Sequence, residues 1–274
     1  CETPSEVALD AAMRVARAFE SEVESLFIEN AQLYQLASYS FAREISLSGR
    51  QTRSLSEASI SQQLKLAAHA VQRRIEALAR IAEVPFSHRI VRDEPVPALA
   101  RACSERGPWN VVALAEPFSP ANAQELRHLF EEVTGTTGLV IVGPSARRTT
   151  GPVVAVVEDL DHVEPMLRAA ERLATITTAV GRAMAEPVTL VVVGEDRSAR
   201  DWLEGQVRLM IARRDDVRLS LPEETRGVAD VIAEEIRRLG AGFVVSQFGG
   251  HVVPAGGDLR HLAIALECPL FLMR

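Results

Sequence analysis

Short apolar runs alternate with helical patterns along the second half of the chain. Stretches such as PVVAVVED, VTLVVVGED and FVVSQF are apolar at successive positions, which is typical of strands buried on both faces. Between them, apolar residues recur every three or four positions, as at Val163, Leu167 and Ala170. Buried strands separated by such helices predict βαβ units, that is, a parallel sheet covered by helices on both faces. We expect the order β-α-β-α-β-α-β-α-β.

The chain contains this unit twice, because it carries an internal repeat. Residues 84–129 align without a gap with residues 217–262, at a constant offset of 133, and both segments end in the string LRHL. Nearer the front, the apolar positions of residues 8–16 match those of residues 166–174. The sequence therefore predicts two tandem doubly wound α/β domains, over residues 1–148 and 149–274.

The first copy differs from the second in two ways. Cys1 aligns with Asp159, the residue that ends the first strand of the second copy, so the first copy has no counterpart of that strand. The first strand is commonly central in such sheets, and without it two neighbouring strands would lack a partner. We therefore expect this strand to come from residues upstream of Cys1. The first copy also has about 32 extra residues, a helical insertion at about 30–70.

The insertion contains both tyrosines, Tyr34 and Tyr39, and predicts a long amphipathic helix. Five apolar residues share one face of this helix: Ile60, Leu64, Val71, Ile75 and Leu78. We expect that face to cover the sheet of its own copy. The alternative is a helix that binds a partner protein or a second subunit.

Several segments of this repeat resemble the universal stress protein family in its tandem form. They are CETPSEVALDAAMRVA at the front, the acidic Asp159 at the end of a strand, and LRHLAIALECPLFLMR at the end of the chain. The resemblance implies small domains of the adenine nucleotide alpha hydrolase-like type that pair through their last strands, here around residues 139–142 and 270–273. It also implies a cytoplasmic protein that acts in stress responses, or a regulatory module attached to a transporter or sensor.

Some members of that family bind ATP through a loop of the pattern G-x2-G-x9-G-[ST] after the fourth strand, where backbone N–H groups cradle phosphates. The resemblance implies an ATP site with two residues near the base and four near the phosphates: Asp159 and Val193, then Gly249, Gly250, Gly256 and Gly257. The loop is shorter than the family pattern, and the next helix starts with an acid in each copy, Glu125 and Asp258. A carboxylate there would cap the helix and repel phosphate.

Two hypotheses follow from this loop. The second copy binds ATP, or the protein is a nucleotide-free interaction module with degenerate loops. Family resemblance favours the first hypothesis, and the glycine spacing favours the second.

Other side chains suggest less specific chemistry. Asp159 and Asp161 form a D-x-D pair that is superficially similar to the nucleophile and acid of haloacid-dehalogenase-type phosphatases, and two carboxylates there could hold Mg²⁺. Because no lysine or second acidic pair stands in a matching position, a phosphatase-like enzyme is the remote third hypothesis. We predict no catalytic residue and no metal site.

Histidines and cysteines are expected to be structural. His128 and His261 are equivalent by the repeat and are expected to pack on a helix surface, with a pH-sensing interface as the alternative. His251, beside Gly250, is a weaker candidate to face a ligand. The three cysteines are far apart, which excludes a disulfide framework and fits a reducing cytoplasm; two are expected in the core: Cys103 and Cys268.

Composition narrows the class of protein. The chain has 274 residues, of which 47% are hydrophobic and 24% charged, as is typical of globular proteins. A net charge of −7 argues against general nucleic-acid binding, which needs a positive field to displace counterions from phosphates. No apolar run approaches the roughly 20 residues that span a bilayer.

Overall fold

A computed structural model describes residues 5–46, 50–107, 110–115, 136–177, 183–222, 229–254 and 259–274. The first half contains α1 (Glu6–Ala18), β1 (Val23–Asn30), α2 (Ala31–Ala37), β2 (Arg43–Ile45), β3 (Thr52–Ser54), α3 (Glu57–Ala82), β4 (Phe86–Asp93), α4 (Pro95–Arg106), β5 (Asn110–Ala115) and β6 (Thr136–Val142). The second half contains β7 (Val153–Val157), α5 (Val163–Ala174), β8 (Thr175–Thr177), β9 (Ala183–Ala185), β10 (Val188–Val192), α6 (Arg197–Ile211), β11 (Val217–Ser220), α7 (Ala229–Arg238), β12 (Phe243–Gln247), α8 (Leu259–Ala265) and β13 (Leu270–Met273).

The second half is a parallel sheet with helices on both faces, which confirms the predicted fold class. Its strands lie in the order β11-β10-β7-β12-β13, and each neighbouring pair is parallel. Every residue of β7 and β10 is buried, as their unbroken apolar sequences predict. One face packs against α5 through residues such as Leu167, and the other packs against α7 and α8 through Ile236 and Leu262.

One small element of this half was not predicted. Strands β8 and β9 form an antiparallel pair between α5 and β10. Each has three residues, which is too short to show the period-two alternation that identifies a strand in a sequence.

Strands β5 and β6 of the first half extend the same sheet to seven strands. Strand β6 pairs antiparallel with β13, with Leu139 opposite Leu272 and Val140 opposite Phe271. Both leucines are fully buried, and the last strands of the two copies lie side by side, as the family resemblance implies. A Cβ on Gly138 would overlap the Phe271 ring, and this explains the glycine on that strand.

Strands β1 and β4 of the first half form a separate parallel pair. By the repeat, they correspond to β10 and β11, whereas β5 and β6 correspond to β12 and β13. In the second half, β7 joins the two equivalent pairs. Among the described residues of the first half, no strand occupies that position, and β1 is only half-buried along nearly all of its length.

Helix α1 packs against both parts of the molecule. Ala8, Ala11 and Val15 lie in the main core with residues of β6 and α5, whereas Leu9 and Met13 pack against α3. The Arg14 side chain donates to the carbonyl of Leu173 and forms an ion pair with Glu186, with 2.5 Å between Nη2 and Oε2. Helix α1 therefore connects the first half to the second.

The insertion forms α2, the β2–β3 hairpin and α3. Helix α3 is 26 residues long, and its apolar face packs against α1, β1 and β4. Ile60, Leu64 and Ile75 are buried, and Val71 and Leu78 are partly buried, so this face covers its own copy as expected. No helix in the described part of the chain is long and apolar enough to cross a membrane.

Candidate functional site

The carboxyl ends of β7, β10 and β12 meet at one edge of the sheet, because the three strands are parallel neighbours. Ligands of doubly wound sheets bind outside this edge, where the loops after the strands come together. Here those loops contain Glu158 and Asp159 after β7, Glu195 after β10, and residues 248–254 after β12.

Glu158 connects the first of these loops to the last. One carboxylate oxygen, Oε2, accepts hydrogen bonds from the backbone N–H groups of His251 and of Val252, the latter at 3.1 Å. Burial raises the pKa of Glu158, although the two backbone hydrogen bonds act in the opposite direction. Its other oxygen, Oε1, is buried and has no hydrogen-bond partner among the described residues. An internal carboxylate therefore occupies two donors of the loop after β12.

The paired glycines build the turn that reaches Glu158. A Cβ on Gly250 would lie 2.6 Å from Oε2 of Glu158, so the close approach of loop and carboxylate requires a glycine there. Gly249 has a φ of +90°, which favours glycine, and its N–H donates to the Val253 carbonyl at 2.8 Å. Val252 and Val253 are buried and hold the turn against the core.

Asp159 is engaged by the start of the next helix. Its carboxylate accepts from the His162 backbone N–H at 3.0 Å and lies 2.7 Å from Nδ1 of the same histidine. Burial acts to raise the pKa of Asp159, but the hydrogen bonds from the His162 ring and backbone outweigh it and lower the pKa. This contact holds the turn that leads into α5, which begins at Val163.

The remaining predicted residues near this edge are also engaged. Val193 is buried, and its N–H donates to the Val157 carbonyl at 2.9 Å. The His251 ring faces Glu195, with 3.1 Å between Nε2 and Oε1. Because both of these side chains are at least half exposed, the pair contributes little to stability.

Solved structures provide the decisive comparison. A universal stress protein from Archaeoglobus fulgidus DSM 4304 matches 98% of this chain over 93% of its own length, with a TM-score of 0.61 and 14% sequence identity. The chain has the universal stress protein fold. The cytoplasmic domain of a prokaryotic cation chloride cotransporter matches over the same shares, with a TM-score of 0.50 and 11% identity. No protein-family model matches the sequence, and neither does any curated protein.

On this universal stress protein fold, the structure brings four of the six predicted ATP-site residues to one sheet edge: Asp159, Val193, Gly249 and Gly250. Gly256 and Gly257 lie outside the described residues, as do Asp258, Glu125 and His128. The side chain of His261, on α8, lies outside them too.

The two acids of the predicted phosphatase pair, Asp159 and Asp161, lie in different environments. Asp159 is held by His162, whereas Asp161 is exposed. Among the described residues, no group of three or more His, Cys, Asp or Glu side chains is placed to hold a metal ion. Cys103 and Cys268 are buried, and burial raises the pKa of the Cys268 thiol to about 12.

Sequence analysis missed Glu158, whose carboxylate accepts two backbone hydrogen bonds from the loop after β12. It selected the next residue, Asp159, because the family resemblance points to an acid at that strand end. Successive side chains at the end of a strand point to opposite faces, so only one of two adjacent acids can face a given loop. The signal that could have found Glu158 is the Gly249–Gly250 pair, which predicts a close approach to some neighbouring group.

A cavity of about 430 Å³ lies beside β1, β4 and α4. Its charged residues pair with one another: Arg89 and Arg106 both contact Glu24, at 3.0 and 2.9 Å. Because acids and bases alternate around this cavity, it does not present a site for an anion.

Proposed function

We propose that this protein is a regulatory protein of the universal stress type that acts as an interaction module in the cytoplasm. In this proposal the nucleotide loops are degenerate, and the protein is not an enzyme. The alternative is an ATP-binding protein that uses the second copy.

The observation that carries the proposal is the set of internal contacts at the carboxyl edge of the sheet. A nucleotide bound there would need backbone donors for its phosphates and a free acid for its base. The Glu158 carboxylate takes the N–H groups of His251 and Val252, and Asp159 accepts from His162. These contacts favour a loop whose backbone donors are used by hydrogen bonds within the protein rather than by a nucleotide.

Negative charge at this edge supports the same proposal. Glu158 occupies the turn itself, and Glu195 lies next to His251 on the opposite loop. A phosphate at the turn would approach the Glu158 carboxylate, and like charges at such distances repel. The turn therefore disfavours phosphate for two reasons: Glu158 already occupies two of its backbone donors, and the Glu158 carboxylate repels a phosphate.

The match to the cotransporter domain supports the proposed role as a regulatory interaction module. That protein uses a cytoplasmic domain of similar fold and size as part of a transporter. We infer that the present chain acts in a comparable way, by contacting a transporter or sensor or by being attached to one.

Titration with ATP and Mg²⁺, monitored by thermal unfolding, tests the proposal. A ligand that binds the native state alone stabilises it by RT ln(1 + [L]/Kd), so binding raises the midpoint. We expect no change in midpoint up to millimolar ATP, beyond the change produced by NaCl at equal ionic strength. A saturable rise with ATP would replace the proposal with the alternative.

A further inference from the structure

We propose that the outer side of α6 binds a second copy of this chain, and that the two α6 helices cross antiparallel at Gly205. We call this surface the α6 face, defined by five exposed residues: Asp201, Trp202, Gly205, Arg208 and Leu209. The proposal does not depend on the function proposed above.

Helix α6 has one side in the core and one side in solvent. Leu203 and Val207 are buried and pack in the main core. With 3.6 residues per turn, Gly205 lies on the opposite side of the helix, at the centre of the α6 face. The other four residues form two lines along the helix, one on each side of the glycine: Trp202 with Leu209, and Asp201 with Arg208.

Two large apolar side chains are exposed on this face. Trp202 is 59% exposed and Leu209 is 73% exposed. Isolated apolar residues are common on protein surfaces, but these two lie on one line of the same helix. Tryptophan is highly buried on average, and it is enriched among the residues that contribute most to binding at protein interfaces. The pair therefore has the composition of a contact surface.

Gly205 has no evident role within the described part of the monomer. Its φ is not in the positive range that favours glycine, and a Cβ at this position would meet no described atom within 4 Å. Glycine inside a helix lowers the stability of the helix relative to alanine. A small residue does allow a second helix to approach closely, because the distance between helix axes depends on the side chains at the contact. The glycine therefore indicates where another helix crosses α6.

The charges of the α6 face identify that second helix as another copy of α6. Asp201 lies on the amino-terminal side of Gly205, and Arg208 lies on the carboxyl-terminal side. In a two-fold symmetric pair, a contact between residue i of one copy and residue j of the other occurs twice. When the two helices are antiparallel about Gly205, Asp201 of each copy lies opposite Arg208 of the other. The face is thus complementary in charge to itself.

The apolar residues obey the same symmetry. Trp202 precedes Gly205 by three residues and Leu209 follows it by four, so the antiparallel crossing places Trp202 of each copy against Leu209 of the other. A parallel pair would place Asp201 opposite Asp201, and like charges across an interface are unfavourable. Only the antiparallel arrangement satisfies the apolar and the charged residues together.

The two charged residues already have partners within α6, but these contacts are exposed. The Asp201 carboxylate lies 3.2 Å from Nη2 of Arg200 and 3.9 Å from Nε of Arg197, and Nε of Arg208 lies 2.7 Å from Oε1 of Glu204. The side chains of Asp201 and Arg208 are 54% and 62% exposed, and exposed ion pairs contribute little to stability. Both side chains can therefore pair across a dimer.

Sedimentation velocity of the 274-residue chain over a series of concentrations tests the proposal. One helix pair buries less surface than the roughly 1,600 Å² of a standard interface, so we expect a dimer that forms above about 1 µM. Gly205→Gln adds a side chain at the crossing, and we expect it to raise the Kd of the dimer by about tenfold or more. Because the described monomer has space at this position, we expect the thermal midpoint of the dilute variant not to fall.

The matched control is Ala77→Gln, which places the same side chain at an exposed position of α3. We expect this variant to dimerise as the parent chain does.

An exchange of charges tests the antiparallel arrangement. Asp201→Arg alone places like charges opposite each other in both ion pairs, and we expect the Kd to rise by about tenfold or more. Adding Arg208→Asp to the same chain restores opposite charges, so we expect the double variant to return to within about threefold of the parent.

The outcomes are distinct. A dimer that is weakened by Gly205→Gln but not by Ala77→Gln, and that the double charge variant restores, supports the proposal. A chain that stays monomeric at millimolar concentrations overturns it and leaves the α6 face to a different protein. Equal effects of the two glutamine variants also overturn it. A double charge variant as weak as Asp201→Arg overturns the antiparallel crossing, and a lower thermal midpoint for Gly205→Gln would show that the monomer itself requires the glycine, which overturns the crossing point.

Discussion

The two halves of this protein repeat one another in sequence, but their described strands are joined in different ways. In the second half, five parallel strands form a continuous sheet around β7. In the first half, the equivalent strands divide into β1 with β4, and β5 with β6, and the second pair joins the sheet of the other copy. The burial of an apolar strand therefore depends on its neighbours as much as on its own sequence.

Because β1 and β4 form a pair apart from the main sheet, the two halves are stabilised in different ways. An isolated pair of strands is marginally stable in water and depends on the helices that pack against it. Strands β1 and β4 have such helices in α1, α3 and α4. We therefore expect the first half to depend on contacts through α1, and the second half to depend on its own core.

The largest expected effect comes from breaking the connection between the halves with Arg14→Ala. This arginine holds the carbonyl of Leu173 and pairs with Glu186, and both side chains are less than 15% exposed. Its loss leaves the Glu186 carboxylate without its cation, so we expect the free energy of unfolding to fall by about 3 kcal/mol. Chemical denaturation measures this value.

The matched control is Arg208→Ala. Arg208 pairs with Glu204 one helical turn away on α6, and the Arg208 side chain is 62% exposed. Such pairs contribute about 0.5 kcal/mol or less. If Arg14→Ala cost no more than Arg208→Ala, α1 would not connect the two halves in the way described.

An intermediate effect comes from truncating the same valine in both halves. Val244→Ala removes a buried side chain, and we expect a loss of about 2 kcal/mol. Val111→Ala, at the matched position, removes a side chain that is 38% exposed, and we expect a loss below about 1 kcal/mol. Equal losses in chemical denaturation would show that β5 is as well buried in solution as β12.

The smallest expected effect is a difference in pH dependence between two adjacent acids of the second half. The folded-state pKa of Glu158 is raised above its ordinary 4.5, so its contribution to stability is present at low pH and declines as pH rises above that value. The pKa of Asp159 is lowered below its ordinary 3.8, so its contribution is present above that value and declines as pH falls below it.

Unfolding of Glu158→Gln and Asp159→Asn at several pH values measures this difference. We expect the stability of the parent protein relative to Glu158→Gln to decrease between pH values near 4 and 7, and its stability relative to Asp159→Asn to increase as pH rises from near 2 to near 5. Two differences that change in the same direction would contradict the assigned contacts.

Much of the fold could be predicted from the sequence, because it is encoded in local patterns and in the repeat. The unbroken apolar run of β7 predicts a strand buried on both faces, and its observed central position follows. The resemblance to universal stress proteins implies that the last strands lie together, and β6 pairs with β13. The β8–β9 hairpin has no such signal, since three residues do not establish a period.

The candidate site was less predictable, because its contacts join residues distant in the sequence. Asp159 was identified by resemblance, but its carboxylate accepts a hydrogen bond from His162, three residues away. Glu158 reaches His251 and Val252 more than 90 residues away, and no periodicity or spacing relates them. The glycines at 249 and 250 indicate a close approach without identifying the group that approaches.

Hydrogen exchange of the unmodified 274-residue chain tests the difference between the halves most directly. The central claim is that the strands of the second half form one continuous sheet, whereas in the described part of the first half no strand joins β1 to β5. We expect the slowest exchange at amides of β7, β10 and β12, and exchange at least about a hundredfold faster in β1 and β4, which open without unfolding the main core. Equal protection of β1 and β7 would contradict the claim.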